Sequence, residues 1–170
     1  MSSVISHPMI PLALSACFSS QQISPGVVLL GMVCSVLPDL DVVGFLFGVR
    51  YGDMFGHRGF SHSISFAVLL AGWLTWWTGY GATVFLFLFV SILSHPLVNA
   101  FTDGGLGIAF FSPFSNRRYF FPWRPIAVPP IGIRAFFSRR GWAVFKSELR
   151  WIWLPSALLY LAAQGLRGYL

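Results

Sequence analysis

The sequence predicts an all-α, polytopic membrane protein folded as a single domain over residues 1–170, and three observations carry that prediction. Hydrophobic residues make up 56% of the chain and aromatic ones 18%, more than a soluble domain of this size can hide from water. The apolar residues come in long runs without the polar alternation of barrel strands, and in lipid such runs satisfy their backbone only as helices. Charged residues are 9% of the chain and collect at the ends of the runs.

Two short apolar segments come first, about 8–18 and 26–37, separated by the polar SSQQISPG. Each is nearer half than all of the roughly 20 residues needed to span a bilayer, so they predict a short N-terminal helical hairpin, with Ser24-Pro25-Gly26 as its turn and Pro25 early in the second helix. A rival parse makes 26–48 one spanning helix. It places Asp39 and Asp41 at mid-membrane, where an unpaired acid costs roughly 2.5 to 3.5 kcal/mol. The stretch 64–78 and the stretch 82–100 read as full spans, joined by the uncharged turn Gly79-Tyr80-Gly81. A last helix, about 150–166, crosses back with Trp151 and Trp153 as interface anchors, making about three full spans in all. Between them, residues 103–149 form an interfacial region of mixed basic and aromatic residues.

Eleven basic residues against five acids give a net charge of +6 and a pI near 10.0. The basic residues flank apolar segments and alternate with rings, the pattern that meets anionic lipid headgroups, so a bilayer is the expected partner and nucleic acid is not. Arg50 and Arg58 precede the 64–100 hairpin, and Arg117, Arg118, Arg124, Arg134, Arg139, Arg140, Lys146 and Arg150 follow it. By the positive-inside rule this side faces the cytoplasm. Cys17 and Cys34 sit in apolar segments with no CxxC pair and read as packing residues. The start, MSSVISHPMIPL, lacks the charged region of a cleavable signal, so His7 is expected in the mature chain.

This topology gathers all four histidines and four of the five acids on one face. His7, Asp39, Asp41, His57, His62, His95 and Asp103 offer enough imidazole and carboxylate donors for one or two divalent ions, zinc or manganese by donor type. The stretch DMFGHRGFSHS, 53–63, is the centre of the pattern: His57 and His62 are five apart, off a common helix face, with Gly59 allowing an irregular turn between them. Ser61 or Ser63 caps the helix that follows. His95 and Asn99 are one turn apart on theirs. Arg58, Arg117, Arg118 and Arg124 are candidates to hold an anionic headgroup, the last three interleaved with Tyr119, Phe120, Phe121 and Trp123.

The early His7, LPDLD at 37–41, HRGFSHS at 57–63, SHPL from Ser94 and TDGGLGIAFFSPFSNRRYFFPWRPI at 102–126 together resemble the YdjM-like bacterial inner-membrane proteins, described as membrane-bound metal-dependent hydrolases. The resemblance implies metal-binding or catalytic roles for His7, Asp39, Asp41, His57, His62, His95 and Asp103. That family usually carries an aspartate four residues after the SH histidine, where this chain has Asn99, an oxygen ligand without charge or basicity. The family has been likened to zinc-dependent phospholipase C, also helical and rich in His and Asp.

The expectation is therefore a membrane-bound hydrolase of an ester or phosphoester in a lipid-like substrate with an anionic headgroup. His57, His62, Asp41 and Asp103 would do the chemistry, with Asn99 among the metal residues, in the bacterial inner membrane with the active face cytoplasmic. No GxSxG or HExxH motif offers another mechanism. The competing expectation is a non-catalytic membrane protein, structural or transport-related, that uses the same ligands to hold a metal.

Overall fold

A computed structural model describes residues 2–128 and 138–167, and every regular element in them is a helix; two isolated bridges, Thr102 with Ile126 and Ile108 with Tyr119, are the only β pairing among these residues. Arg134 lies outside the described residues. Helix α1 (Met9–Ser15) leads to α2 (Pro25–Cys34), whose start is capped by Ser24 accepting the Val27 N–H, with Pro25 in the first turn, as the Ser-Pro-Gly signal predicts.

The chain does not turn back after α2. Two turn residues carry it into an eleven-residue 3-10 helix, Leu37–Phe47, which ends at Gly48 in the left-handed region with φ 77°. The whole stretch Pro25–Phe47 spans 23 residues and, with Ala82–Ala100, is one of two long and apolar enough to cross a membrane. This corrects the expected count of three spans. Ile64–Thr78 has 15 residues and Leu154–Arg167 has 14, both short of the roughly 20 a crossing needs. The objection to a long second segment falls away because Asp39 and Asp41 are not left alone beside hydrocarbon; each faces histidines.

Helix α3 (Ile64–Thr78) starts at the Ser63 cap and stops at Gly79 with φ 71°, turning at once into α4 (Ala82–Ala100) to make an antiparallel hairpin. Small residues let the helices close up. Ala67 and Ala71 of α3 are fully buried, and Gly31 of α2 lies so near the Phe87 ring that a Cβ would stand 2.6 Å from it. Around these, Val27, Cys34, Leu74, Leu88 and Ile92 complete the core, so Cys34 is a packing residue while Cys17 is exposed. The outer face is also apolar. Trp76 and Trp77 are 79% and 70% exposed and Leu29, Val33, Leu69 and Leu86 point outward with them, a surface that suits lipid and not water.

After α4 the chain runs through an irregular segment to Val128. It resumes as α5 (Arg139–Glu148), a π-helical turn (Leu149–Trp153) and α6 (Leu154–Arg167). The first helix packs against α6 as well as α2 and α4, so the start of the chain is held against its end.

Candidate metal centre

Four pieces of backbone deliver polar side chains to one buried place. On the 3-10 helix Asp39 and Asp41 are two residues apart, about 240° around a helix of three residues per turn, so Asp39 reaches His95, Asp41 reaches His57, and His62 lies between the two. The loop before α3 is folded tightly on itself. A Cβ on Gly56 would meet the Arg50 carbonyl at 2.1 Å and one on Gly59 the Met54 carbonyl at 2.2 Å, while Arg58 takes a left-handed φ of 65°. That compression turns both His57 and His62 toward Asp41. Helix α4 presents His95 and Asn99 on one face, and the segment before α1 lays His7 flat on His95, ring centroids 3.8 Å apart.

The hydrogen bonds decide which nitrogens are free. His95 Nδ1 donates to the Ser35 carbonyl at 2.8 Å, which leaves Nε2 as the lone-pair nitrogen. His62 Nδ1 faces Asp41 Oδ2 at 3.1 Å and Ser61 Oγ at 3.0 Å, so its lone pair is also at Nε2. These two Nε2 atoms are 3.1 Å apart, and Asp39 Oδ1 is 3.5 Å from one and 3.2 Å from the other. All three residues are buried, and neither Asp39 oxygen has a hydrogen-bond donor. His7 Nδ1 is likewise buried without a partner, its Nε2 being bonded to Ser2 Oγ at 2.8 Å. Burial, reinforced by the neighbouring His95, pushes the His7 imidazole well below its ordinary pKa and keeps it neutral.

Converging lone pairs repel unless something positive lies among them. A single proton between His62 and His95 relieves one contact at most and leaves Asp39 Oδ2 and His7 Nδ1 unsatisfied. A divalent cation suits the whole set: two nitrogens bound to one zinc at about 2.0–2.1 Å stand about 3.3 Å apart, close to the spacing found. Two overlapping groups, His7 with Asp39 and His95, and Asp39 with His57 and His62, each place one ligand atom per residue within 4.8 Å of the others. Asp39 belongs to both. Behind them Asp41 fixes the rings, accepting from His57 Nδ1 at 2.6 Å, Ser61 Oγ at 2.7 Å and the Arg58 N–H at 3.0 Å.

The YdjM inner membrane protein family model matches residues 1–169. The chain belongs to the YdjM inner membrane protein family. It is 41% identical over 164 residues to the inner membrane protein YbcI of Escherichia coli (strain K12), covering 94% of this chain and 95% of that protein. No solved structure matches.

Within this YdjM-family chain, the remaining residues singled out in the sequence are distributed unevenly. Asn99 lies at the centre, but its Oδ1 is taken by the Ser2 N–H at 3.1 Å, so Nδ2 faces His95 Nε2 at 2.9 Å and His62 Nε2 at 3.5 Å. Asp103 stands apart from the cluster, accepting from the Val128 N–H at 2.8 Å and pairing with the exposed Arg140 at 3.4 Å. Arg58 is fully buried and gives its guanidinium to the Gly104 carbonyl and Thr102 Oγ1. Arg118 clamps the same loop through the carbonyls of His57 and Tyr51, at 3.0 and 2.9 Å. Arg117 and Arg124 are exposed, each over a neighbouring ring. Missed from the sequence were Ser2, Ser35, Ser61 in its role beside Asp41, and Glu148. Glu148 had one signal, being the sole glutamate in a chain with five acids.

Proposed function

We propose that this chain is a membrane-bound, metal-dependent hydrolase of an ester or phosphoester in a lipid-like substrate. It would work in the bacterial inner membrane, as a multi-pass protein with its active face toward the cytoplasm. The observation that carries the reading is the convergence of His62 Nε2, His95 Nε2 and Asp39 Oδ1, three buried ligand atoms within 3.5 Å of one another, with both Asp39 oxygens left without a hydrogen-bond donor. His62, His95 and Asp39, with His7 at the margin, would hold one or two divalent ions, zinc by preference for imidazole and manganese as the alternative. The ion's contribution is Lewis acidity, which polarises the ester or phosphoryl oxygen and acidifies water. The chain's own residues do the rest. His57, with Nδ1 pinned by Asp41 at 2.6 Å, has its Nε2 available to take a proton and return it to the leaving oxygen. Asp41 keeps His57 and His62 in the required tautomers, and the buried walls exclude bulk water. Arg117 and Arg124 are the exposed cations able to receive an anionic headgroup.

A second reading is favoured by one observation: His7, His62, His95 and Asn99 are all fully buried, as in a closed site that holds helices together. The two readings separate on purified protein. Elemental analysis is expected to find zinc or manganese near stoichiometry, with His62→Ala and His95→Ala losing it. His57→Ala is expected to keep the metal while turnover of a phosphoester presented in mixed micelles drops by about 100-fold, the scale of a general acid–base contribution. Wild-type protein without stoichiometric metal would sink the reading. Full metal with equal, negligible turnover in wild type and His57→Ala would leave the structural alternative.

A further inference from the structure

Glu148 is the sole glutamate in the chain and is 2% exposed, 145 positions away in sequence from what it holds. Among the described residues no basic side chain pairs with it. Its carboxylate is satisfied instead by the amino-terminal segment: Oε1 accepts the Ser3 N–H, and Oε2 accepts Ser3 Oγ and, at 2.8 Å, Ser6 Oγ. Ser6 Oγ in turn receives Trp153 Nε1 at 2.9 Å. Five positions on an α-helix point about 140° apart, but a π turn, which closes i to i+5, brings them to nearly the same face. The π turn Leu149–Trp153 thus aims Glu148 and Trp153 at one hydroxyl.

The segment so held is the one that reaches the proposed metal centre. Ser2 donates its N–H to Asn99 and bonds His7 Nε2, and His7, directly after Ser6, stacks on His95. We infer that Glu148 is a positioning residue: it latches Ser3 and Ser6, and through them sets His7 and Ser2 against the His95 and Asn99 face of α4. A carboxyl group buried among neutral donors, 2% exposed, is a costly arrangement for a residue that only fills space. The inference rests on the metal-centre reading, and it adds a residue outside the donor set on which the geometry of His7 depends.

The test is a double-mutant cycle on the full chain in detergent, titrated with zinc alone against a competing chelator. Glu148→Gln is expected to loosen zinc by about tenfold, the lower end of what a displaced supporting residue costs. In a His7→Ala background the same change should alter affinity by less than about twofold, because the two act through one path. Ser3→Ala with Ser6→Ala, which removes both hydroxyls and leaves Glu148 in place, should copy the Glu148→Gln effect. It also decides the question if Glu148→Gln fails to fold. Hydrogen exchange on the metal-free protein should show residues 2–7 losing protection in Glu148→Gln while α3 and α4 keep theirs. Zinc binding by wild type that neither Glu148→Gln nor the paired serine variant weakens overturns the latch alone. So does an equal loss with and without His7. Failure of wild type to bind zinc overturns the centre and the latch together.

Discussion

Asn99 offers Nδ2 to the two histidines because the Ser2 N–H already occupies its Oδ1. An aspartate here would keep the Ser2 contact with one oxygen and put the other where Nδ2 now stands, 2.9 Å from His95 Nε2 and 3.5 Å from His62 Nε2. Asn99→Asp is therefore expected to tighten zinc binding by about tenfold or more, read by chelator competition, since a charged oxygen replaces a donor that cannot ligate. Unchanged affinity would mean that position 99 lies outside the ligand shell. At this scale the sequence showed which residue types were costly beside hydrocarbon and so singled out His7, Asp39, Asp41, His57, His62 and His95, which the fold brings together. It did not show what the loop carbonyls would demand. Arg58 and Arg118 looked like headgroup binders, yet Arg118 satisfies the His57 and Tyr51 carbonyls of the tight loop, and Arg58 reaches out of that loop to the Gly104 carbonyl and Thr102 Oγ1.

Two serines two residues apart divide the work at the start of α3. Ser63 Oγ accepts the Phe66 N–H at 3.0 Å and caps the helix, while Ser61 Oγ bonds Asp41 and His62. Ser63→Ala is expected to cost about 1 kcal/mol in unfolding free energy with little change in zinc affinity. Ser61→Ala should do the reverse, weakening zinc binding several-fold with little change in stability. Thermal unfolding and zinc titration of both variants check the division, and equal effects on both readouts would refute it. The choice between them could not be made from sequence, because either spacing suits a cap. Elements with local punctuation were readable: Ser24-Pro25-Gly26 marks the start of α2 and Gly79 the end of α3. The stretch Leu37–Phe47 was not. Pro38 and two acids look like a break, and only the distant histidines make it affordable to continue as helix.

Across the whole molecule, the uncharged turn at Gly79-Tyr80-Gly81 lies at one end of the α3/α4 hairpin and the basic loops with the His/Asp centre at the other. A reporter inserted in that turn is expected to be active on the periplasmic side, and one placed in the irregular segment after α4 on the cytoplasmic side. The opposite pattern would invert the proposed orientation while leaving the centre as described. Such an arrangement could be drawn from sequence because charge asymmetry is additive along the chain. The contact between Glu148 and the first residues could not, because nothing local announces a partner so far away. At 15 residues α3 rises about 22 Å, well under the roughly 30 Å of a bilayer's hydrocarbon. Tilting only shortens its reach, so a bilayer wrapped around this helix would pinch inward beside it. On the proposed function, such a dimple would lower phosphate and glycerol groups toward His62 and spare a lipid substrate much of the climb out of its leaflet.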